Sequence, residues 1–98
     1  MRYNDHISFD WDAANIAHIA RHNVTPAEAE EVLSDPERRS VPTYSKDGEH
    51  RIAVTGLTYD ERLLTVIITL RPGPRIRVVT ARPADKQERQ AYEEATHE

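Results

Sequence analysis

Between Leu63 and Arg71 the side chains alternate in character. Leu64, Val66, Ile68 and Leu70 fall on one side of an extended chain, and Thr65, Ile67, Thr69 and Arg71 fall on the other. Successive side chains of a strand point to opposite faces, so this pattern predicts a strand with one fully apolar side. Its neighbours follow the same rule. Glu49 to Leu57 sets Ile52 and Val54 against Glu49, Arg51, Ala53 and Thr55, and Arg75 to Arg82 sets Ile76 and Val78 against Arg75, Arg77 and Val79. Lys46-Asp47-Gly48 and Pro72-Gly73-Pro74 are turn signals, and Thr58 to Arg62 is a polar connection. Val41 to Ser45 is a weaker strand that Pro42 confines to an edge. The pattern predicts a three- to four-stranded antiparallel meander, with a further short strand around Ile7 to Phe9.

Helices flank this sheet. Asp12 to His22 is rich in alanine, places Ile16 and Ile19 on one face and begins at an N-cap aspartate; Asn23 suits a left-handed stop. Thr25-Pro26-Ala27-Glu28 is a capping box with proline at the first helical position. It opens a helix to about Ser34 that buries Ala29, Val32 and Leu33 and ends before Asp35-Pro36. Asp85 to about Ala95 is a closing helix with Ala84, Glu88, Ala91, Tyr92 and Ala95 along one side. Trp11 is expected to pack as a core anchor. The expected fold is α+β: two N-terminal helices, the meander and a C-terminal helix, with the helices gathered against one sheet face. At 98 residues the chain accommodates one domain, 1–98, and one core.

The net charge of −4 hides an uneven distribution. Residues 1–37 carry two basic and eight acidic side chains, residues 38–82 nine and four, and residues 83–98 two and five. A basic strand segment lies between acidic helices, and phosphate binding responds to local potential rather than to the total. Eleven of the thirteen basic residues are arginine, the better bidentate clamp for phosphate. The absence of cysteine excludes disulfides and thiolate zinc sites. No apolar run is long enough to span a bilayer, and Met1 to His6 lacks the apolar core of a secretory signal, so a cytoplasmic location is expected.

If the apolar sides of the strands pack together, the opposite face carries Glu49, Arg51, Arg71, Arg75 and Arg77. An ordinary solvated sheet face is one reading of this set. Its arginine and threonine, in place of a mix of lysine and glutamate, favour a chemical one. RNA cleavage without a metal needs a base for the 2′-hydroxyl proton, cations for the charged phosphorane and an acid for the leaving oxygen. Glu49 or a histidine suits the base. Arginines suit the cations, being permanently charged and poor proton donors. His18 and His22 lie four apart on the first helix, in line with Trp11 and Asn15. The pair admits a metal site, an acid–base site or RNA contact at His22, or a structural bridge from the helix to the sheet or to the following loop. It lacks an obvious third ligand and the glutamate of the zinc-protease motif.

Three stretches together carry a family resemblance. The first is Phe9-x-Trp11-Asp12, His18-x-x-Arg21-His22-x-Val24 and Glu28-Ala29-Glu30-Glu31-Val32. The second is Glu49-x-Arg51, Gly56 and Arg62-Leu63-Leu64. The third is Arg77-Val78-Val79-Thr80-Ala81-Arg82 with Glu88-Arg89-x-x-Tyr92. In order and spacing, from Phe9 to Tyr92, this resembles the BrnT family of toxins. Asn23 stands where that family commonly has glycine; Asn15 and His18 stand near its usual lysine and asparagine, at slightly different spacing.

The resemblance implies a RelE-like fold, RNA cleavage that blocks translation and no cofactor. It also implies a cognate antitoxin from the same operon, BrnA-like and of the ribbon-helix-helix type, with DNA reached only through that antitoxin. It puts functional positions at His22, Glu49, Arg51, Arg77 and Arg82. Arg71, Arg75 and Arg62 are the further candidates for RNA contact. Arg77 and Arg82 are five apart, so a regular strand would send them to opposite faces. Either a bulge or the strand end re-aims Arg82, or it serves the closing helix. The competing reading is a catalytically inactive module of the same fold that binds an antitoxin-like protein or nucleic acid through its basic face.

Overall fold

The computed structural model describes residues 7–96. Met1 to His6, read above for a secretory signal, lie outside the described residues. The elements run β1 (Ser8–Phe9), α1 (Ala13–Ala20), α2 (Pro26–Leu33), β2 (Arg39–Tyr44), β3 (His50–Leu57), β4 (Leu63–Arg71), β5 (Arg75–Pro83) and α3 (Lys86–Thr96). They build one five-stranded sheet in the order β1-β5-β4-β3-β2. β2 to β5 form the expected antiparallel meander, and β1 adds a parallel pairing to β5 through Ser8↔Arg75 and Phe9↔Ile76. The sheet is therefore mixed and one strand wider than a four-stranded meander.

The helix starts follow from their caps. The Asp12 carboxylate accepts from the Asn15 N–H at 3.0 Å, and Asn15 Oδ1 accepts from the Asp12 N–H at 2.8 Å. Thr25 and Glu28 make the same reciprocal pair for α2, with Pro26 at its first position. Asp85 and Glu88 repeat it ahead of α3. Such boxes satisfy N–H groups that a helix start otherwise leaves unpaired. Asn23 adopts φ +64°, which turns the chain out of α1.

The core lies between one sheet face and the first two helices. Ile19, Val24, Ala29 and Val32 pack against Val54, Leu64, Val66, Ile68, Val78 and Ala81. Burial of each large aliphatic side chain contributes roughly 1.5–3 kcal/mol. Ile16 remains 40% exposed, so α1 seats only Ile19 and Asn15 rather than an isoleucine pair. Trp11 packs against the core edge, as expected, and its indole N–H donates to Glu30 at 2.8 Å. α2 comes so close to β3 that a Cβ on Gly56 would stand 3.0 Å from the Val32 carbonyl oxygen. Only glycine fits there without displacement.

The helices do not all gather on one face. α3 crosses the side opposite the core, where Glu88 accepts from the Thr65 hydroxyl at 2.9 Å and receives Arg82 Nη1 and Nη2 at 2.8 and 2.9 Å. Thr55 and Thr65, on that same side, are buried and share a 2.7 Å hydroxyl hydrogen bond. The Tyr92 hydroxyl donates at 2.7 Å to Asp35, whose carboxylate also accepts from the Leu57 N–H. α3 is thereby tied to the end of β3 and the loop after α2. Burial, then the bond to Asp35, pushes the Tyr92 phenol well above its ordinary range.

Candidate active site

β5 contains one residue more than its partner. Ile68 pairs with Val78 and Ile67 with Thr80, which leaves Val79 without an opposite residue. A bulge of this kind shifts strand parity by one. Thr69 accordingly faces Arg77, and Thr65 faces Arg82. Both arginines lie on the non-core face although they are five residues apart. The sequence alternatives for Arg82 are therefore both realised: the bulge re-aims it, and it is a partner of the closing helix.

α3 covers one end of that face. The other end is open as a groove of about 230 Å³. Glu49 lines it from the end of the β2–β3 turn, Arg51, Thr69, Arg71 and Arg77 through Val79 from the strands, and Ala14, Asn15 and His18 from α1. Each group has a local reason for its position. Glu49 leaves the β2–β3 turn, where its N–H donates to the Ser45 hydroxyl at 3.0 Å and Gly48 adopts φ +87°. Arg51 then points to the same side as Glu49, and its Nε and Nη2 reach Glu49 Oε1 at 3.2 and 2.9 Å. Asn15 is buried and donates to the carbonyls of Asp10 and Val78 at 2.9 and 3.0 Å, which fixes α1 along β5. That docking carries His18 to the groove.

Arg77 is held from the N-terminal side. Its Nη1 lies 3.0 Å from Asp12 Oδ2 and 3.5 Å from Asp10 Oδ2. The Asn15 N–H, then the Arg77 guanidinium, hold the Asp12 carboxyl below its usual range, and Asp12 in turn raises Arg77. Arg71 makes no ion pair among the described residues, so the groove combines one free guanidinium with two that are paired and oriented.

The remaining candidates lie elsewhere. Arg75 shares the face by register but turns back, donating to the Pro72 carbonyl at 3.3 Å in the hairpin, and does not line the groove. Arg62 joins the β3–β4 connection to α2 through Glu28 at 2.8 Å and the Asn23 carbonyl at 2.9 Å. Arg82 is clasped by Glu88 under α3. His22 is exposed one turn beyond His18, with the ring centres 6.4 Å apart, and it too does not line the groove. The histidine that does is His18. Neither ring is buried, so the structural bridge to the sheet is not formed. His50 stacks edge-on against Tyr44 at 4.8 Å, while His6 and His97 lie outside the described residues. Among the described residues no group of three or more histidine or acidic side chains could hold a metal ion.

Sequence reasoning missed Asp10, Asp12 and Thr69. A helix N-cap gives no hint that its second carboxylate oxygen reaches across to a strand.

A family model described as "Ribonuclease toxin, BrnT, of type II toxin-antitoxin system" matches residues 11–88. The chain belongs to the BrnT family. The matched span of this BrnT-family chain contains every residue that lines the groove, together with the Arg82–Glu88 clasp. A family of ribonuclease toxins of type II toxin–antitoxin systems implies an antitoxin protein as partner. No curated protein matches the chain. No helix among the described residues is long and apolar enough to cross a membrane.

Proposed function

We propose that the groove is the active site of a metal-independent endoribonuclease, which stops translation by cutting RNA and is silenced by its antitoxin. The observation that carries this reading is the convergence of Arg51, Arg71 and Arg77 from three strands, and of Glu49 from the β2–β3 turn, on one open groove in a BrnT-family chain. Glu49, oriented by Arg51, accepts the proton of the attacking 2′-hydroxyl. Arg51, Arg71 and Arg77 surround the phosphate with positive charge, which costs little reorganisation because two of them are already fixed by carboxylates. Arg82 and Arg62 hold the scaffold, and His22 and Arg75 stand where RNA on either side of the cut would pass. A RelE-like fold and a ribbon-helix-helix, BrnA-like antitoxin belong to the same reading, the latter carrying the complex to DNA.

The purified protein, free of antitoxin, is expected to cut RNA with excess chelator present. Glu49→Gln and Arg77→Ala, both still folded, are each expected to lose about 100-fold or more in rate. Expression without antitoxin should arrest growth, and the same substitutions should relieve the arrest. RNA left intact by folded protein, alone and with ribosomes, would leave the alternative of a non-cleaving module that binds a partner through this face.

A further inference from the structure

The groove also identifies the second proton-transfer group. Among the residues lining it, arginines are permanently charged and the threonine and asparagine have no ionisable proton to trade, so only Glu49 and His18 carry acid–base side chains. They enter from opposite walls: Glu49 from the end of the β2–β3 hairpin, His18 from α1. Strand-borne guanidiniums at Arg51, Arg71 and Arg77 share the groove with them. A phosphate held by those arginines has a carboxylate from one wall and an imidazole from the other. His18 is exposed, and its ring makes no hydrogen bond to the described residues, so both nitrogens are available to a substrate. Histidine is the side-chain type whose charge change ordinarily falls between about pH 5 and 8, which suits it to donate a proton and recover it.

Resting on the ribonuclease reading above, we propose that His18 is the catalytic acid of the groove. In the step assigned to it, Glu49 takes the proton from the ribose 2′-hydroxyl. The 2′-oxygen bonds to phosphorus as the bond from phosphorus to the 5′-oxygen breaks. The His18 imidazolium delivers its proton to that departing oxygen. The products are a 2′,3′-cyclic phosphate and a 5′-hydroxyl, with one proton gained by Glu49 and one lost by His18. The assignment departs from the sequence expectation of His22. His22 follows one turn later, where the seated helix has already carried it beyond the groove.

The test uses an oligoribonucleotide that the wild-type protein cuts, and the same molecule with sulfur replacing the 5′-bridging oxygen at the cut position. A thiolate leaves without protonation, so it bypasses a missing acid. His18→Ala is expected to slow cleavage of the oxygen substrate about 100-fold or more and to regain most of that loss on the sulfur substrate. Glu49→Gln is expected to stay slow on both. Unchanged thermal unfolding of His18→Ala excludes a folding defect, and His18→Gln gives a second side chain of similar reach. Wild-type speed in His18→Ala, or the same loss on both substrates, would overturn the assignment and leave the ribonuclease reading intact. A wild-type protein that cuts no RNA would remove the reading itself, and the assignment with it.

Discussion

Asp12 does two jobs with one carboxylate. Oδ1 caps α1 through the Asn15 N–H, while Oδ2 receives Arg77 at 3.0 Å. The two roles separate by substitution. Asparagine is as good an N-cap as aspartate but carries no charge, whereas alanine loses both functions at a cost of about 1 kcal/mol in helix stability. Asp12→Asn is therefore expected to leave thermal unfolding nearly unchanged and to slow RNA cleavage roughly 10-fold or more, because a displaced guanidinium no longer meets the phosphate. Asp12→Ala should lower both. Equal rates for Asp12→Asn and wild type, measured at saturating RNA, would show that Arg77 holds its position unaided.

At the level of elements, α3 depends on a clasp that acid should open. Glu88 accepts from Arg82, Thr65 and the Asp85 N–H, and the Arg82 guanidinium above all holds its carboxyl at about 2, against an ordinary 4.5. One unit corresponds to about 1.4 kcal/mol, so the clasp contributes on the order of 3 kcal/mol where the carboxylate is ionised in both states. That stability is fully present above about pH 4.5 and is lost as the pH falls toward 2, because the unfolded chain takes up the proton first. Glu88→Gln should be less stable than wild type at pH 7, with the gap closing between pH 4.5 and pH 2 in denaturant titrations.

The legibility of the fold divides along the same lines. The meander, the helix caps and the non-core side of Glu49, Arg51, Arg71 and Arg77 follow from period and capping chemistry, which are local. The closing helix was legible, but not that it covers the second sheet face, although β4 held a clue. Thr65, Ile67 and Thr69 make its other side nearly as apolar as the first, the mark of a strand buried on both faces. The parallel pairing of β1 spans only Ser8 and Phe9, too short to show a period. Which histidine reaches the groove depends on how Asn15 seats α1 on β5, a tertiary contact with no trace in helical spacing.

The whole molecule is acidic, at −4, yet its groove is lined by three guanidiniums and one carboxylate. RNA should therefore meet an attractive patch on a repelling body, and affinity should depend steeply on salt. For the slow-cleaving Glu49→Gln protein, binding to single-stranded RNA is expected to weaken roughly tenfold or more between 50 and 200 mM salt if about three phosphates are neutralised. Arg71→Ala, which removes the groove cation that makes no ion pair among the described residues, should flatten that dependence by roughly 0.7 in log–log slope, read from titrations at several salt concentrations. An unchanged slope would place the backbone contacts outside the groove.

Val79, the surplus residue of β5, divides that strand into two halves of opposite phase. One half aims Arg77 at the groove and the other aims Arg82 at α3, so a single strand supplies both the reaction chemistry and the anchor of its covering helix on the same side. A chain shortened by this one valine would keep every ionisable group it now has. It would nonetheless have to choose between them, with either the phosphate cradle or the helix anchor turned into the apolar interior.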